Sequence, residues 1–251
     1  MEVRLVLGLA VFIVALLSIA LPPVAYVTSP HRYSFAEWLW KALQEIPGLP
    51  PMDMESVKRL GEKQVLHGVS NIVIDAVSSA LSVENGPGVC YLYRGSSRVE
   101  ISGGSASLYI QGGRLLAELT NVSTLAVRGR SSVVTLEEVG VGSLVLDLGS
   151  SIARLEDAVV AGNLSAELLN SLLRGRLRLE RGVGKVSLNL TNSMLVLELS
   201  LPPGTGVDIV EKGVSGCSTR IKAPSCGSGL RCVVIELICR SSVVDIEAAS
   251  G

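Results

Sequence analysis

Aromatic side chains are scarce in this 251-residue sequence, although 48% of its residues are hydrophobic. Aromatic residues make up only 4%, and none lies between Ile110 and Gly251. Any hydrophobic core in that region must therefore consist of aliphatic side chains. An excess of positive charge is also absent, because 22 basic and 23 acidic residues give a net charge of -1. This balance argues against a nucleic-acid-binding protein, which normally carries a basic excess.

Histidines are nearly absent as well, and this bears on metal and catalytic sites. The chain contains only His31 and His67, and no two cysteines have Cys-x-x-Cys spacing. A zinc site needs such ligands, and an enzyme needs convergent acid, base or nucleophilic groups. We therefore predict a protein without catalytic residues, bound metal or cofactor. An envelope hydrolase is the least favoured alternative.

A long apolar run lies near the start of the chain. Leu5–Leu21 contains one polar residue, Ser18, and Pro22-Pro23 follows it. As a helix the run would span about 25 Å, near the lower limit for crossing the lipid bilayer. We predict that residues 1–27 form a single-pass anchor and that the C-terminal domain is extracytoplasmic. A cleaved signal peptide, which would give a secreted protein, is the alternative.

Most of the remaining aromatic residues lie directly after this run. Five of them fall between Tyr26 and Trp40, a density typical of an interfacial aromatic belt. Ser34-Phe35-Ala36-Glu37 has the capping-box pattern that begins a helix. We assign residues 28–68 to a juxtamembrane helical connector with one short amphipathic helix. Packing of that helix on the C-terminal domain is the alternative.

Four of the five cysteines lie within 23 positions, which predicts disulfides in an oxidising compartment. They are Cys217, Cys226, Cys232 and Cys239. Several pairings are open, and the remaining cysteine is Cys90. Because residues 218–225 resemble a loop, we predict that Cys217 pairs with Cys226.

From Asn71 onward, short segments alternate apolar and polar residues. The segments beginning at Leu144, Val186 and Leu195 are examples. Period-two alternation indicates half-buried β-strands. Serines open successive two-strand units at spacings of 19, 20 and 22 residues: Ser132, Ser151, Ser171 and Ser193.

A period near 20 residues indicates stacked repeats. We therefore predict an all-β fold over residues 69–251, a single-stranded β-solenoid of two-strand rungs. An antiparallel sandwich would give similar alternation and is the alternative.

Acidic residues recur at equivalent positions of two units, as Glu137-Glu138 and Glu156-Asp157. Stacked carboxylates could bind a cation such as calcium. Neutralisation by nearby arginines is the favoured interpretation, and the arginines concerned are Arg154, Arg174, Arg176 and Arg178.

Three Asn-x-Ser/Thr motifs begin at Asn121, Asn163 and Asn189. Alternation of side chains along a strand predicts that Asn163 and Asn189 face outward. All three are candidates for glycosylation of a surface protein.

Two segments carry a resemblance to a known family. NIVIDAVSSALSVENG and LPPGTGVDIVEKGVSG resemble the putative-adhesin, or toast-rack, β-solenoid domains of cell envelopes, over about Val69 to Ala248. The resemblance implies a β-solenoid without catalytic residues. A related domain occurs in bacterial envelope-stress regulators.

These observations together predict a membrane-tethered extracytoplasmic β-solenoid used for binding, adhesion or envelope scaffolding. Its regular faces would contact a protein or a glycan at the cell surface, and its ends could form homo-oligomers. The alternative is a sensor or regulatory domain that signals to a membrane partner.

Overall fold

The computed structural model describes residues 64–227 and 231–250, which lie in one compact unit, Met54–Gly251. These ranges contain strands and no helix, so no membrane-crossing helix is found within them. The anchor Leu5–Leu21 and the predicted short helix lie outside the described residues.

Seventeen strands are described. Their bounds are β1 (Gln64–Val65), β2 (Asn71–Val77), β3 (Ala80–Asn85), β4 (Cys90–Ser102), β5 (Ser105–Leu119), β6 (Val122–Arg130), β7 (Val133–Glu137), β8 (Gly140–Gly149), β9 (Ile152–Val160), β10 (Leu164–Leu169), β11 (Leu172–Leu179), β12 (Lys185–Thr191), β13 (Met194–Leu201), β14 (Thr205–Ser215), β15 (Ser218–Lys222), β16 (Arg231–Arg240) and β17 (Val243–Ser250).

The strands stack in parallel on two sides. Side A contains β2, β6, β8, β10, β12, β16 and β14 in spatial order, and side B contains β3, β7, β9, β11, β13, β17 and β15. A rung is one side A strand with the side B strand that follows it. Val133, Ile152, Leu172 and Met194, which follow the unit-opening serines, align in register across neighbouring rungs. The parallel register confirms the solenoid arrangement and shows that the antiparallel sandwich was wrong.

Both ends of the stack depart from chain order. At the N-terminal end, β5 alone spans both sides, and β4 pairs with it antiparallel as the outer strand. The last residues of the predicted connector, Gln64–Val65, form β1 and pair with the start of β4. At the other end β14–β15 is outermost, and the later rung β16–β17 lies between it and β12–β13. The sequence repeat indicated neither exchange.

Alternate residues of both sides fill one aliphatic core. In β8, for example, Leu144, Leu146 and Leu148 are at most 1% exposed, whereas Val145 faces outward. This matches the scarcity of aromatic residues in the C-terminal part. The aromatics of the described region, Tyr91, Tyr93 and Tyr109, lie in β4 and β5, at the N-terminal end.

Tyr91 is buried in that end layer, and its hydroxyl donates to the side chain of Gln64 in β1. Burial, and to a smaller extent the neighbouring Tyr93, raise the pKa of the Tyr91 phenol. Tyr91 therefore joins β1 to the end layer as an un-ionised hydrogen-bond donor.

A column of buried serines marks the corner at which side A turns into side B; we call it the serine corner. Its members are Ser79, Ser132, Ser151, Ser171, Ser193 and Ser242. Each backbone N–H from Ser79 to Ser193 donates to the hydroxyl of the next serine in the stack, at 2.9–3.2 Å. Each hydroxyl donates in turn to the carbonyl two residues earlier, at 2.7–2.9 Å. The serines that revealed the repeat thus satisfy the buried backbone groups of the turn.

The residue before each corner serine has a left-handed backbone. Its φ lies between 48° and 52° at Ser78, Ser131, Ser150, Asn170, Asn192 and Ser241. Non-glycine residues rarely adopt this conformation, and Asn adopts it more readily than most. The hydrogen bond from the serine hydroxyl to the carbonyl two residues earlier spans this left-handed residue and stabilises the turn.

Candidate functional site

The opposite corner, at which side B turns back into side A, is built on glycine. Gly142, Gly162 and Gly182 recur every 20 residues, and we call this the glycine corner. A Cβ on Gly142 would lie 2.5 Å from the Ser123 carbonyl oxygen, and one on Gly162 would lie 2.7 Å from that of Gly142. Both distances are shorter than real Cβ contacts. The rungs approach each other so closely here that no side chain fits.

A groove of about 490 Å³ lies beside the glycine corner and crosses several rungs. Its floor includes Gly140, Val159 and Ala161. No atom lies within 4 Å of the position that a Cβ on Gly140 would take, so the missing side chain leaves the groove open. Val122, Val141, Val160 and Leu179 are in register beneath it, so it crosses three rung steps of about 4.8 Å, or about 14 Å.

Exposed planar polar side chains line the groove. Asn85 and Asn121 belong to the N-terminal rungs, Glu138 to the next, and Arg178 and Glu180 to the rung farthest along. Amides supply donors and acceptors, the guanidinium supplies donors, and carboxylates supply acceptors. The groove contains one basic side chain, Arg178, and two acidic ones, Glu138 and Glu180. This nearly balanced set of charges suits a ligand with hydroxyl groups better than a strongly charged ligand.

The predicted carboxylate row is present on side B, a few residues from the groove. Glu137 and Glu156 are in register on β7 and β9, and Glu84 of β3 continues the row. Arg154 Nε lies 2.7 Å from Glu156 Oε1, and an Arg176 nitrogen lies 2.9 Å from Asp157 Oδ2. Within residues 64–227 and 231–250, no cluster of three His, Cys, Asp or Glu side chains could hold a metal ion. These ion pairs favour neutralisation by arginines over the calcium alternative at Glu156 and Asp157.

The four candidate cysteines form two disulfides. Cys217 bonds to Cys239 and Cys226 to Cys232, so the predicted pairing of Cys217 with Cys226 was wrong. The intervening residues 218–225 were interpreted as a loop, but Ser218–Lys222 forms the extended strand β15. At about 3.3 Å per residue, that strand separates its two flanking cysteines. The side chain of Cys90, the remaining cysteine, lies outside the part of the chain that the structure describes.

All three asparagines of the Asn-x-Ser/Thr motifs are exposed. Asn121 lines the groove and has a left-handed backbone with φ of 55°. Asn163 directly precedes β10, and Asn189 lies on the outer face of β12. The exposure agrees with the outward orientation expected for Asn163 and Asn189, whereas glycosylation itself stays a prediction.

The sequence alone did not indicate the groove. Its pattern placed Glu138 and Arg178 only in the charged row, and Gly140-Val141-Gly142 has the composition of an ordinary turn. The 20-residue recurrence of Gly142, Gly162 and Gly182 is the signal that could have indicated a special corner. Gly140 does not belong to that recurrence, so only the folded structure shows that the space beside it is open.

Comparisons with known proteins return similarities of structure only. No family model matches the sequence, and no curated protein matches it. One similar solved structure is a putative cell adhesion protein from Clostridium sporogenes, with 13% identity, a TM-score of 0.36 and coverage of 75% of this chain and 99% of that one.

Two putative adhesins are also similar. The one from Bacteroides fragilis has 9% identity, a TM-score of 0.32 and coverage of 76% of this chain and 96% of its own. The one from Parabacteroides merdae has 10% identity, a TM-score of 0.26 and coverage of 75% and 95%. Overlaps at this level assign no function to this chain.

Proposed function

We propose that this chain is a non-catalytic, extracytoplasmic binding domain, tethered to the membrane by Leu5–Leu21, and that the groove at the glycine corner binds a glycan. The observation that carries the proposal is the groove itself. Its aliphatic floor could contact the C–H face of a sugar ring, and its polar side chains could hydrogen-bond the hydroxyls. A length of about 14 Å fits a short oligosaccharide better than a monosaccharide.

The scaffold is rigid enough to keep such a site preformed. The groove lies on strands and on the short turns between them. The strands are hydrogen-bonded to neighbouring rungs, and Val141 and Val160 beneath the groove are buried. Preformed sites bind without the entropy loss of ordering a loop. The two disulfides support an extracytoplasmic compartment, because disulfides persist in oxidising spaces.

A groove-filling substitution tests the binding site. Gly140→Leu places a side chain in open space and should abolish binding while leaving the fold intact. Gly213→Leu is the matched control, because a Cβ there also meets no atom within 4 Å and Gly213 lies in β14, far along the stack. Both variants should give the circular dichroism spectrum of the wild type.

The measurement is retention on an array of immobilised neutral and anionic di- to tetrasaccharides. We expect the wild type and Gly213→Leu to bind neutral oligosaccharides, and Gly140→Leu to lose at least about tenfold in affinity. Equal retention of Gly140→Leu would contradict the groove as the site. Cleavage of a bound oligosaccharide would contradict a non-catalytic domain, and capture of a protein partner without sugar binding would favour the sensor alternative.

The tether is tested separately on the mature protein in membranes. N-terminal sequencing that reads through Leu5–Leu21 supports the anchor. A mature N-terminus after Pro23 would instead show a cleaved signal peptide and a secreted protein.

A further inference from the structure

Few residues of the outermost C-terminal rung, β14–β15, are buried. Only Thr205, Gly206 and Val207 of β14 are buried, and β15 contains no buried residue. The neighbouring β16 buries every second residue from Val233 to Cys239. Hydrophobic burial therefore holds β16 in the stack more strongly than it holds β14–β15.

Polar contacts of this rung are exposed. The Lys212 ammonium lies 2.8 Å from Glu236 Oε2, and Arg220 Nε lies 3.9 Å from Asp245 Oδ1. Both basic side chains are more than 40% exposed, and ion pairs at such sites contribute little to stability. Backbone hydrogen bonds to β16 and β17 also attach this rung to the stack.

Both disulfides fasten this rung to its neighbour. Cys217 lies in the turn between β14 and β15, and its partner Cys239 lies in β16. Cys226 follows β15, and its partner Cys232 lies near the start of β16. The loop after β15 also pairs with β14, because the Val207 N–H donates to the Pro224 carbonyl.

Cys217 occupies the place that a serine holds in every inner rung. Ser218 is in register with Val243, so Cys217 lies beside Ser242 at the end of the serine corner. Gly216, with φ of 66°, takes the left-handed position before it, as Ser241 does before Ser242. At the end of the serine column, the Cys217–Cys239 disulfide therefore replaces the hydroxyl that links neighbouring inner rungs.

The two disulfides differ in accessibility. In one bond Cys232 is exposed and Cys226 is half-buried, whereas in the other Cys217 is half-buried and Cys239 is 0% exposed. Thiol–disulfide exchange requires a thiolate to reach a sulfur atom. A reductant therefore reaches both sulfurs of the Cys226–Cys232 bond. It reaches the other bond only at Cys217, and attack there would release a thiolate at the buried Cys239, where a charge is unfavourable.

We propose that β14–β15 is a redox-released cap, held by two disulfides that are reduced in order, Cys226–Cys232 first and Cys217–Cys239 second. A dithiol supplies the electrons for each step. Its thiolate attacks one cysteine sulfur, forms a mixed disulfide and releases the other cysteine as a thiolate, which takes up a proton. The second thiol of the reductant then closes a cyclic disulfide and frees the remaining protein thiol.

Release of the cap uncovers a strand edge. The β16 backbone groups that pair with β14 lose their partners, as do those of β17 that pair with β15. An edge of unpaired N–H and C=O groups accepts another extended chain. The inner rungs keep hydrogen bonds on both sides and stay closed.

The test uses the full chain, solubilised in detergent and titrated with dithiothreitol. Alkylation with peptide mapping follows each cysteine, and hydrogen–deuterium exchange follows each strand. We expect labelling of Cys226 and Cys232 at lower dithiothreitol, with β14–β15 still protected. At higher dithiothreitol Cys217 and Cys239 become labelled, and exchange in β14–β15 rises by at least about tenfold while β6–β13 stay protected.

Three results would overturn the proposal. They are labelling of Cys217 and Cys239 before the other pair, unchanged protection of β14–β15 after reduction of all four, and simultaneous loss of protection in all rungs.

Two double variants separate the bonds. Cys226→Ser with Cys232→Ser retains the buried disulfide, so its cap should stay protected without reductant. Cys217→Ser with Cys239→Ala keeps only the Cys226–Cys232 bond, so its cap should be released at the lower dithiothreitol concentration that reduces this bond. The variant also restores serine at the end of the column. If the second variant does not fold, the wild-type titration decides alone.

Discussion

In the central rungs, the serine corner and the glycine corner turn the chain by opposite means. At the serine corner the turn encloses polar groups, and buried hydroxyls link each rung to the next. At the glycine corner no side chain lies between the rungs, because their backbones are in contact and a Cβ on Gly142 or Gly162 would collide with a carbonyl oxygen of the neighbouring rung. One corner depends on a side chain with two hydrogen-bonding functions, and the other on the absence of any side chain. We therefore expect their tolerance to substitution to differ sharply.

The largest effect should follow from Gly162→Ala. The new Cβ would lie 2.7 Å from the Gly142 carbonyl oxygen, and backbone cannot move aside as a flexible side chain can. We expect a loss of about 3 kcal/mol in the free energy of unfolding, measured by urea denaturation. Gly140→Ala, at an open position, should stay within about 0.5 kcal/mol of the wild type. Equal stability of both variants would show that the rungs can separate at this corner.

Ser151→Ala should come next. It removes the acceptor for the Ser132 N–H and the donor to the Gly149 carbonyl, both in the buried column. Unsatisfied buried groups cost about 1–3 kcal/mol, so we expect a loss of about 2 kcal/mol in urea denaturation. Ser187→Ala, on the outer face of β12, is the control and should have little effect. A loss below about 0.5 kcal/mol would mean that water replaces the hydroxyl.

A smaller change of opposite sign is expected one residue earlier. Ser150 has a left-handed backbone with φ of 50°, which costs a non-glycine residue about 1–2 kcal/mol. Glycine removes this cost but adds about 0.4–1 kcal/mol of unfolded-state entropy. Ser150→Gly should therefore stabilise by about 0.5 kcal/mol in thermal or urea unfolding. Asn170→Gly should gain less, and destabilisation by Ser150→Gly would show that the serine side chain supports the corner.

The smallest effect should lie outside both corners, at an ion bridge across three rungs. The ammonium groups of Lys212 and Lys185 hydrogen-bond Glu236 and lower the pKa of its carboxyl below the usual 4.5. A lowered folded-state pKa adds stability above the unfolded-state value and loses it as pH falls through the folded-state value. Glu236→Gln should flatten the pH dependence of unfolding below about pH 4.5, and an unchanged profile would contradict the bridge.

The sequence predicted the rung and its inward side chains, because alternation follows directly from the geometry of a strand. It did not predict which rung lies beside which. Val207 and Val233 both occupy the third position of a strand and are in register, yet they belong to different layers, and the sequence repeat does not show that β16 lies inside β14. The predicted disulfide pairing was wrong because Ser218–Lys222 forms strand β15 and not a loop, so Cys217 meets Cys239 of the neighbouring layer.

The groove could not be predicted from the sequence, because it is a space between residues that only the folded chain brings together. Gly140 and Gly142 are two residues apart and look alike in the sequence. A Cβ on the first meets nothing, whereas one on the second meets the Ser123 carbonyl. The difference depends on the rung that lies across the corner, which belongs to a distant part of the chain.

The reversed order of the last two rungs also has a consequence for biosynthesis. The segment that forms β16–β17 leaves the ribosome after β14–β15, yet it must enter the stack between that rung and β12–β13. Until it arrives, the layer with which β14–β15 pairs in the folded domain is missing. A chain interrupted after Lys222 would therefore lack β16–β17 and would also leave β14–β15 without its neighbouring layer, so this end of the domain can close only after synthesis of the last strands.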